Sequence, residues 1–165
     1  MISRRAVSSG LLLYRRTNGV LEIFLAHPGG PFWARRDNGA WTIPKGVVDQ
    51  GEALLDGARR EFREETSIEA KGPYATLGSV KQKAGKTVHA WAWEGDADPS
   101  AIVSNTTKTE WPRGSGKWLT YPEIDRCAWF DVETARVKIN PAQSAFIDRL
   151  AILLASNDAA QRRAQ

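Results

Sequence analysis

Hydrophobic and polar residues near the start of the chain follow a pattern that predicts a β-hairpin. Residues 7–14 and 21–26 are rich in β-branched and aliphatic side chains, and the polar run Thr-Asn-Gly at residues 17–19 separates them. Two apolar runs joined by a turn of this kind are typical of antiparallel strands. A third, short strand is predicted over residues 41–43, and it ends at Pro44.

The hydrophobic residues of the next segment have helical spacing. Leu54, Leu55, Ala58 and Phe62 recur within residues 53–66 at the intervals of one helix face. This spacing predicts a helix that buries the apolar face. The charged face of the helix is left free for ligands.

The second half of the chain returns to the strand pattern. Residues 76–82 and 87–94 are predicted to form two strands joined across residues 84–85. Residues 95–115 contain two prolines and two glycines. We interpret them as one long loop, a kind of segment that is often functional in a compact domain.

Shorter elements complete the chain. Residues 117–120 and 128–130 are predicted strands. Asn140 followed by Pro141 is typical of the cap and the first residue of a helix. That helix repeats apolar residues at helical spacing, at Phe146, Leu150, Leu153 and Leu154. Residues 157–165 are a polar C-terminal tail.

The composition fits one compact domain, which we place at residues 1–156. The chain has 165 residues, of which 42% are hydrophobic, and strands around a central helix predict an α/β or α+β fold. No apolar run approaches the roughly 20 residues that span a bilayer, and residues 1–10 lack the apolar stretch of a secretory leader. We therefore expect a cytoplasmic protein, and the lone Cys127 agrees with a reducing compartment.

The most informative residues are three glutamates on the predicted helix. Residues three and four positions apart share a helix face, so Glu61 lies beside both Glu64 and Glu65. Like charges at this spacing repel each other, and a cation among them removes the repulsion. Carboxylate oxygens without clustered Cys or His favour Mg²⁺ or Mn²⁺ over zinc.

The segment that contains these glutamates resembles the Nudix box, GX5EX7REUXEEXGU, in which U is aliphatic. Six of its seven fixed positions match, at Gly46, Glu52, Arg60, Glu61, Glu64 and Glu65. Two residues depart from the pattern. Phe62 stands at an aliphatic position, and Ser67 replaces the glycine that would adopt the left-handed conformation at the helix end. Serine in that conformation costs about 1 kcal/mol or ends the helix differently.

The resemblance implies the Nudix fold, a mixed β-sheet sandwiched between helices. It also implies hydrolysis of a nucleoside diphosphate linked to another moiety, by attack of water on a phosphorus atom with the help of divalent metal ions. By their positions in the box, the implied metal ligands are Glu61, Glu64, Glu65 and the backbone carbonyl of Gly46. Any of the three glutamates could also act as the base, and Glu61 is the first candidate.

Two further roles follow from the same resemblance. In the family the box arginine orients catalytic carboxylates and pairs with the earlier glutamate, so we expect a catalytic role for Arg60 and structural support of the site from Glu52. Lys45 precedes the box glycine. The segment Pro-Lys-Gly resembles Nudix hydrolases of dinucleoside polyphosphates or diphosphoinositol polyphosphates, so we expect Lys45 to bind substrate.

A residue outside the box is expected to complete the site. Several Nudix enzymes add a carboxylate from a loop beyond the second hairpin, either as a metal ligand or as the base. Glu110 is the acid of residues 95–115 best placed for that role. The competing acids are Glu94, Asp96 and Asp98. The candidates for stacking a base are Trp33, Trp91, Trp93 and Trp111.

Three functions remain open from the sequence. The first is a Mg²⁺- or Mn²⁺-dependent hydrolase of small nucleotides, with dinucleoside polyphosphates or nucleoside triphosphates favoured. The second is a non-enzymatic nucleotide sensor with the same fold, which would not need every box carboxylate. The third, an RNA pyrophosphohydrolase, needs an extended basic groove. The net charge of +4 favours an anionic substrate, and we expect no nucleic-acid partner and no membrane.

Overall fold

The computed structural model of the protein describes residues 6–165. The first five residues of the predicted domain, residues 1–156, therefore lie outside the described residues. The same holds for the first half of residues 1–10, which were expected to lack the apolar stretch of a secretory leader. The strands are β1 (Val7–Thr17), β2 (Val20–Pro28), β3 (Lys45–Val47), β4 (Ala75–Lys81), β5 (Thr87–Glu94), β6 (Thr106–Glu110), β7 (Trp118–Pro122) and β8 (Ile124–Asp131). The α-helices are α1 (Leu54–Thr66), α2 (Val132–Lys138) and α3 (Ser144–Ala164).

Six of the strands form one mixed sheet. Its main path is β4-β5-β1-β2-β8, and β1 and β5 are parallel whereas the other neighbours in this path are antiparallel. The start of β1 also pairs with β3, with Ser9 opposite Gly46, and the end of β1 pairs with β2. The mixed sheet with its helices confirms the predicted fold class.

The sheet buries an apolar core on each face. Successive side chains of a strand point to opposite faces, and in β1 Leu12 joins one core while Leu11 and Leu13 join the other. The first core includes residues of α2 and α3. The second lies under α1, where Ala58 and Phe62 are fully buried. The phenylalanine that departs from the box pattern thus occupies a core position, as an aliphatic residue would.

The hairpin between β1 and β2 forms as predicted from its turn residues. Asn18 and Gly19 both have positive φ, 52° and 79°. Two such residues make the tight turn whose twist matches that of antiparallel strands. The register that follows pairs Thr17 with Val20.

Two predictions from the sequence were wrong about an element. Residues 41–43 form only isolated bridges, because Trp41 and Thr42 pair with different neighbours, Ile139 and Ala26. The supposed loop at residues 95–115 contains β6, which pairs with β7 in a separate two-stranded sheet. Its threonines favour a strand, and the prolines and glycines around them obscured that preference.

The short helix α2 was absent from the prediction. Its Asp131 cap accepts a hydrogen bond from the Thr134 N–H at 2.8 Å. In a helix of only seven residues with little apolar spacing, this cap is the main signal in the sequence. At the other end of the chain, the polar tail is helical, because α3 continues to Ala164. Within residues 6–165, no helix is both long enough and apolar enough to cross a membrane.

Ser67 ends α1 in the left-handed conformation that glycine usually adopts. Its φ is 61°, and its N–H donates to the carbonyl of Arg63 at 2.7 Å. The Ser67 hydroxyl donates to the Val103 carbonyl at 2.6 Å. The side chain thereby joins the helix end to the segment before β6, so a contact that glycine cannot make offsets the strain of a positive φ.

We expect Ser67→Ala to lower the free energy of unfolding by about 1 kcal/mol, because alanine keeps the strained φ and loses the hydrogen bond to Val103. Ser67→Gly loses the same bond but relieves about 1 kcal/mol of strain, so its stability should lie near that of the wild type. Urea titrations of the three proteins measure this difference. Equal losses in both variants would contradict the proposed compensation.

Candidate functional site

A cleft of about 590 Å³ opens beside the box. One wall is the segment that follows β2, and another is the hairpin of β6 and β7. Lys45, directly before the box, and the box residue Glu65 also line the cleft, and the short link between β7 and β8 contributes Glu123. The volume is in the range of small-molecule sites, so the box faces a space that a nucleotide can occupy.

Gly46 allows the backbone of β3 to lie directly against the Glu61 carboxylate. A Cβ atom built on Gly46 would overlap the Glu61 side chain. A larger residue at position 46 would therefore displace Glu61 or the strand. The structure places the backbone of Gly46 and Glu61 together, which is the arrangement that shared metal ligation requires.

Glu61 and Glu65 lie on the side of α1 next to β3. Glu61 and Glu65 are buried, while 39% of the Glu64 side chain is exposed. Glu65 Oε2 accepts a hydrogen bond from the Lys45 backbone N–H at 3.1 Å. The apolar stripe of α1 packs on the sheet, and this packing carries the neighbouring glutamates into the gap beside β3.

Burial makes two of these carboxyl groups weaker acids than a free glutamate. Burial raises the pKa of Glu65 well above its ordinary value, and the nearby Glu61 charge raises it further, while Lys45 lowers it. Burial also raises the pKa of Glu61, against the opposing effect of Arg60. Because their negative form is costly in this setting, both groups stand to gain from an added positive charge.

Arg60 supplies the positive charge that the structure places among the carboxylates. Its Nε and Nη2 donate to both oxygens of Glu52, at 2.9 and 3.0 Å. Its Nη1 donates to Glu61 at 2.8 Å and to Glu64 at 3.3 Å, and Nη2 also reaches the Val47 carbonyl. Hydrogen bonds from Arg60 hold the pKa of Glu52 at about 2. One guanidinium therefore joins the loop before α1 to two box glutamates.

The donor set fits a hard divalent cation. It consists of carboxylates and a backbone carbonyl, the oxygen ligands that Mg²⁺ and Mn²⁺ prefer. In the described part of the chain, no group of three or more His, Cys, Asp and Glu side chains is already arranged as a cation site. Arg60 instead provides positive charge to Glu61 and Glu64. Because burial raises the pKa values of Glu61 and Glu65, a bound cation would stabilise the charged form of both carboxylates.

Lys45, which the sequence analysis expects to bind substrate, is in the lining of the cleft. Burial lowers the pKa of its ammonium group, and the Glu65 charge opposes this effect. A half-buried ammonium beside the cleft has fewer water contacts to lose when an anionic group arrives. The strand β3 thus presents a cation next to the box carboxylates.

Glu110 is not brought to the box carboxylates. It lies at the end of β6, where its Oε1 accepts a hydrogen bond from the Gly116 N–H at 2.7 Å. That bond holds the carboxylate across the end of the hairpin. Thr107, Thr109 and Trp111, at alternate positions, line the cleft instead.

Glu123 is the acid that the sequence analysis missed. It lines the cleft, and its charge raises the pKa of both Glu61 and Glu65. Burial raises its own pKa, as does Glu64, while the Asn105 side chain opposes them. A single residue between two strands carries no spacing signal, so only the fold reveals it.

Asn105 fixes the position of Glu123 relative to α1. The Asn105 N–H donates to the Glu64 carbonyl at 2.8 Å, and the Glu123 N–H donates to the Asn105 carbonyl at 2.9 Å. These bonds satisfy a carbonyl at the end of α1, which has no partner within the helix. The segment before β6 therefore connects the box helix directly to the additional acid.

The tryptophans named from the sequence separate into two groups. Trp33 and Trp111 line the cleft, whereas Trp91 and Trp93 belong to the core under α1. His27 is fully buried, with its ring nitrogens 3.0 Å from Asp125 and 2.6 Å from the Arg36 carbonyl. Of these side chains, Trp33 and Trp111 are the ones that a ligand in the cleft can contact.

Comparison with known proteins gives a consistent family. A model described as NUDIX domain matches residues 4–150. The asymmetrical bis(5'-nucleosyl)-tetraphosphatase of Rattus norvegicus is 47% identical over 98 residues, covering 55% of this chain and 63% of that protein. An RNA pyrophosphohydrolase of Caulobacter vibrioides, strain NA1000 / CB15N, is 37% identical over 84 residues, covering 44% of this chain and 49% of that protein.

A third relative is longer than this chain. The chain spans only 27% of the nucleoside triphosphate pyrophosphatase/Nudix hydrolase fusion protein of Bifidobacterium longum, with 30% identity over 132 residues and 64% of this chain covered. Solved structures share the fold. A C. elegans Ap4A hydrolase binary complex has a TM-score of 0.61 at 23% identity, covering 92% of this chain and 98% of that chain.

The structural likeness extends to a second ligand-bound structure. The NUDIX domain of Shewanella oneidensis NrtR, complexed with ADP ribose, has a TM-score of 0.65 at 13% identity, covering 93% of this chain and 90% of that chain. At this level of identity the likeness concerns the fold alone. The bacterial and mammalian relatives share a larger part of the residues, and the chain spans less than two thirds of their length.

We expect Arg60→Lys to lower the melting temperature by about 3–6 °C, because lysine cannot make the paired bonds to Glu52. Glu52 has a depressed pKa, so the stabilisation is present above its ordinary value of 4.5 and is lost as the pH falls to about 2. The gap between wild type and variant should therefore close over that interval. Melting curves in chelator measure it.

The control is Arg59→Lys, which changes the neighbouring exposed arginine on the same helix. It should leave the melting temperature within about 1 °C of the wild type. A gap between wild type and Arg60→Lys that stays constant from neutral pH to pH values near 2 would rule out the Glu52 pairing as its cause.

Proposed function

The chain belongs to the NUDIX domain family, and we propose that it is a divalent metal-dependent hydrolase that cleaves the pyrophosphate of a nucleoside diphosphate linked to another moiety. The observation that carries this proposal is that the buried box carboxylate Glu65 lines the cleft together with Lys45. Glu61 and Glu64 lie on the same helix and are joined to each other by Arg60. Dinucleoside polyphosphates and nucleoside triphosphates are the favoured substrates, and Mg²⁺ or Mn²⁺ the favoured metal.

The box residues have separate tasks in this proposal. Glu61, Glu64, Glu65 and the Gly46 carbonyl would hold the divalent ion, which when bound neutralises phosphate charge and lowers the pKa of a water molecule. Lys45 binds a phosphate oxygen from the side of β3. Arg60 orients Glu61 and Glu64 while it is itself held by Glu52.

Glu123 supports the step in which water loses a proton. A base must come within hydrogen-bond reach of the water that it activates. Glu123 is in the cleft with Glu65, and its raised pKa brings its basicity closer to neutral pH than that of a free carboxylate. We therefore assign the base to Glu123 in preference to Glu110, whose carboxylate is engaged by Gly116.

The relatives support pyrophosphate chemistry on two kinds of substrate. A bis(5'-nucleosyl)-tetraphosphatase and an RNA pyrophosphohydrolase are both similar to this chain over about half of its length. The cleft volume of about 590 Å³ suits a small nucleotide. For this reason we place the small-nucleotide substrates first.

A panel of nucleoside diphosphate derivatives tests the proposal. Dinucleoside polyphosphates, nucleoside triphosphates and nucleotide sugars are incubated with protein and Mg²⁺ or Mn²⁺, and phosphate is measured after phosphatase treatment. Hydrolysis of at least one compound should be lost in Glu64→Gln, whose side chain is partly exposed and not part of the core. Glu69→Gln, on the exposed surface just beyond α1, is the control for lost charge. Turnover by Glu64→Gln at the wild-type rate would overturn the assignment.

Metal binding should also be visible without any substrate. A ligand that binds only the folded state at 100 times its dissociation constant adds about 2.7 kcal/mol, or about 5–10 °C in melting temperature for a chain of this size. We expect Mg²⁺ or Mn²⁺ to raise the melting temperature of the wild type and of Glu69→Gln. The rise should be much smaller in Glu64→Gln. An equal rise in all three proteins would place the ion elsewhere.

The identity of the base is tested by two matched variants. If Glu123 takes the proton, Glu123→Gln should lower kcat by about 10²-fold or more with little change in KM. Glu110→Gln should keep at least a third of the wild-type kcat. The opposite pattern would return the base to Glu110, and near-wild-type kcat in both variants would return it to the box glutamates.

A further inference from the structure

Two glutamine side chains form a hydrogen-bonded pair in one wall of the cleft. Gln82 directly follows β4, and Gln143 directly precedes α3. Gln143 is fully buried, Gln82 is half-buried, and both line the cleft. Gln143 Nε2 donates to Gln82 Oε1 at 3.2 Å and to Thr42 Oγ1 at 2.8 Å. Neither glutamine belongs to the box or to the metal-binding residues.

The orientation of the Gln143 amide is fixed by the backbone. Gln143 Oε1 accepts a hydrogen bond from the Ile43 N–H at 3.0 Å. A backbone N–H can only donate, so the oxygen of the Gln143 amide must face Ile43 and its NH₂ group must face Gln82. Both hydrogens of that NH₂ group are then used, which leaves Gln143 as a positioning residue.

This arrangement determines which group Gln82 presents to the cleft. Gln82 Oε1 must face the Gln143 NH₂ group, because two NH₂ groups cannot bond to each other. The Gln82 NH₂ group has no hydrogen-bond partner within residues 6–165 and remains available. The backbone of Gln82 is held in the turn by bonds to Lys86 and Gly85. The cleft wall therefore offers donors at a defined place.

Asn140 adds a second donor to the same cleft. Its Oδ1 accepts a hydrogen bond from the Ala142 N–H at 3.0 Å, which orients the amide in the same way. Asn140 also lines the cleft. Two amide NH₂ groups, each fixed through its own oxygen, make this part of the lining a surface of donors.

Aromatic side chains from two other parts of the lining favour a planar ligand. Phe32 and Trp33 come from the segment after β2, and Trp111 and Tyr121 come from the hairpin of β6 and β7. Faces of this kind stack on bases whatever the base sequence. Gln82 and Asn140 line the same cleft as these aromatic side chains. A base that stacks in the cleft therefore has amide donors in the same lining.

We propose that Gln82, oriented by Gln143, is a specificity residue that selects bases whose edge carries acceptors, such as the 6-oxopurines, over bases with an amino group at that edge. A 6-oxopurine presents N7 and O6, both acceptors, whereas adenine presents an acceptor and an amino donor. Amide NH₂ groups can donate to both acceptors of the 6-oxopurine edge. With adenine, one amide donor would face the amino group, which is also a donor. The inference rests on the proposed function for its nucleotide substrate and refines it.

Binding of two nucleoside monophosphates tests this selectivity. Inosine and adenosine monophosphate have the same phosphate and sugar and differ at the six-position edge of the base. Neither contains a pyrophosphate, so the measurement does not depend on turnover. Quenching of the protein's tryptophan fluorescence, to which the cleft residues Trp33 and Trp111 contribute, gives the two dissociation constants. We expect the wild type to bind inosine monophosphate about tenfold more tightly.

The informative variant is Gln82→Glu. A carboxylate still accepts the hydrogen bond from Gln143 but presents only acceptors to the cleft, so the preference should fall at least tenfold and approach or pass equality. Gln82→Ala should bring the ratio of the two dissociation constants near one. Gln161→Glu, on the exposed end of α3, makes the same charge change far from the cleft and should leave the wild-type ratio unchanged.

The outcomes separate this inference from the proposed function. A wild-type ratio within twofold of one, or a ratio that Gln82→Glu leaves unchanged, overturns the inference. Equal weakening of both nucleotides by Gln82→Glu would mean that the amide contacts phosphate, and this result also overturns it. A retained preference for inosine monophosphate in a protein that hydrolyses nothing would support the inference and reject the hydrolase. Hydrolysis without any base preference would do the reverse.

Discussion

The close approach of β3 to α1 is the constraint on which the site depends. Helix α1 is pressed on the sheet by Ala58 and Phe62, which are fully buried. The backbone at Gly46 then lies against the carboxylate of Glu61, with no room for a side chain between them. Apolar packing of the helix thus supplies the force that confines the two carboxylates next to Ala58 and Phe62 on the same buried face. Confinement raises the cost of their charge, and this cost is what makes the site receptive to a cation.

Most of what the sequence predicts correctly depends on local spacing. The box helix, the Asn18-Gly19 turn and the paired strands on either side of residue 84 are properties of neighbouring residues. The prediction of a strand at residues 41–43 was wrong because Trp41 and Thr42 form single bridges to residues far along the chain. The threonine-rich β6 was masked by the prolines and glycines around it, and α2 by its short length.

The residues of the site divide in the same way. The positions in the box place Arg60 with the glutamates, because that arrangement is built within one helix and the loop before it. Glu123 comes to the cleft through bonds between Asn105 and the end of α1, and no spacing encodes them. Gln82 and Gln143 are 61 positions apart. Their joint orientation depends on the backbone N–H of Ile43, which only the folded chain brings to Gln143.

The hairpin of β6 and β7 is joined to the main sheet through Glu123. Strand β7 ends at Pro122 and β8 begins at Ile124, so one residue separates an outlying two-stranded ribbon from the edge of the sheet. The other end of the ribbon begins directly after Asn105, which is bonded both to Glu123 and to the end of α1. The acid in the cleft is therefore also one of the two residues that attach the ribbon to the rest of the domain, so its backbone position is fixed by the same bonds that hold the ribbon.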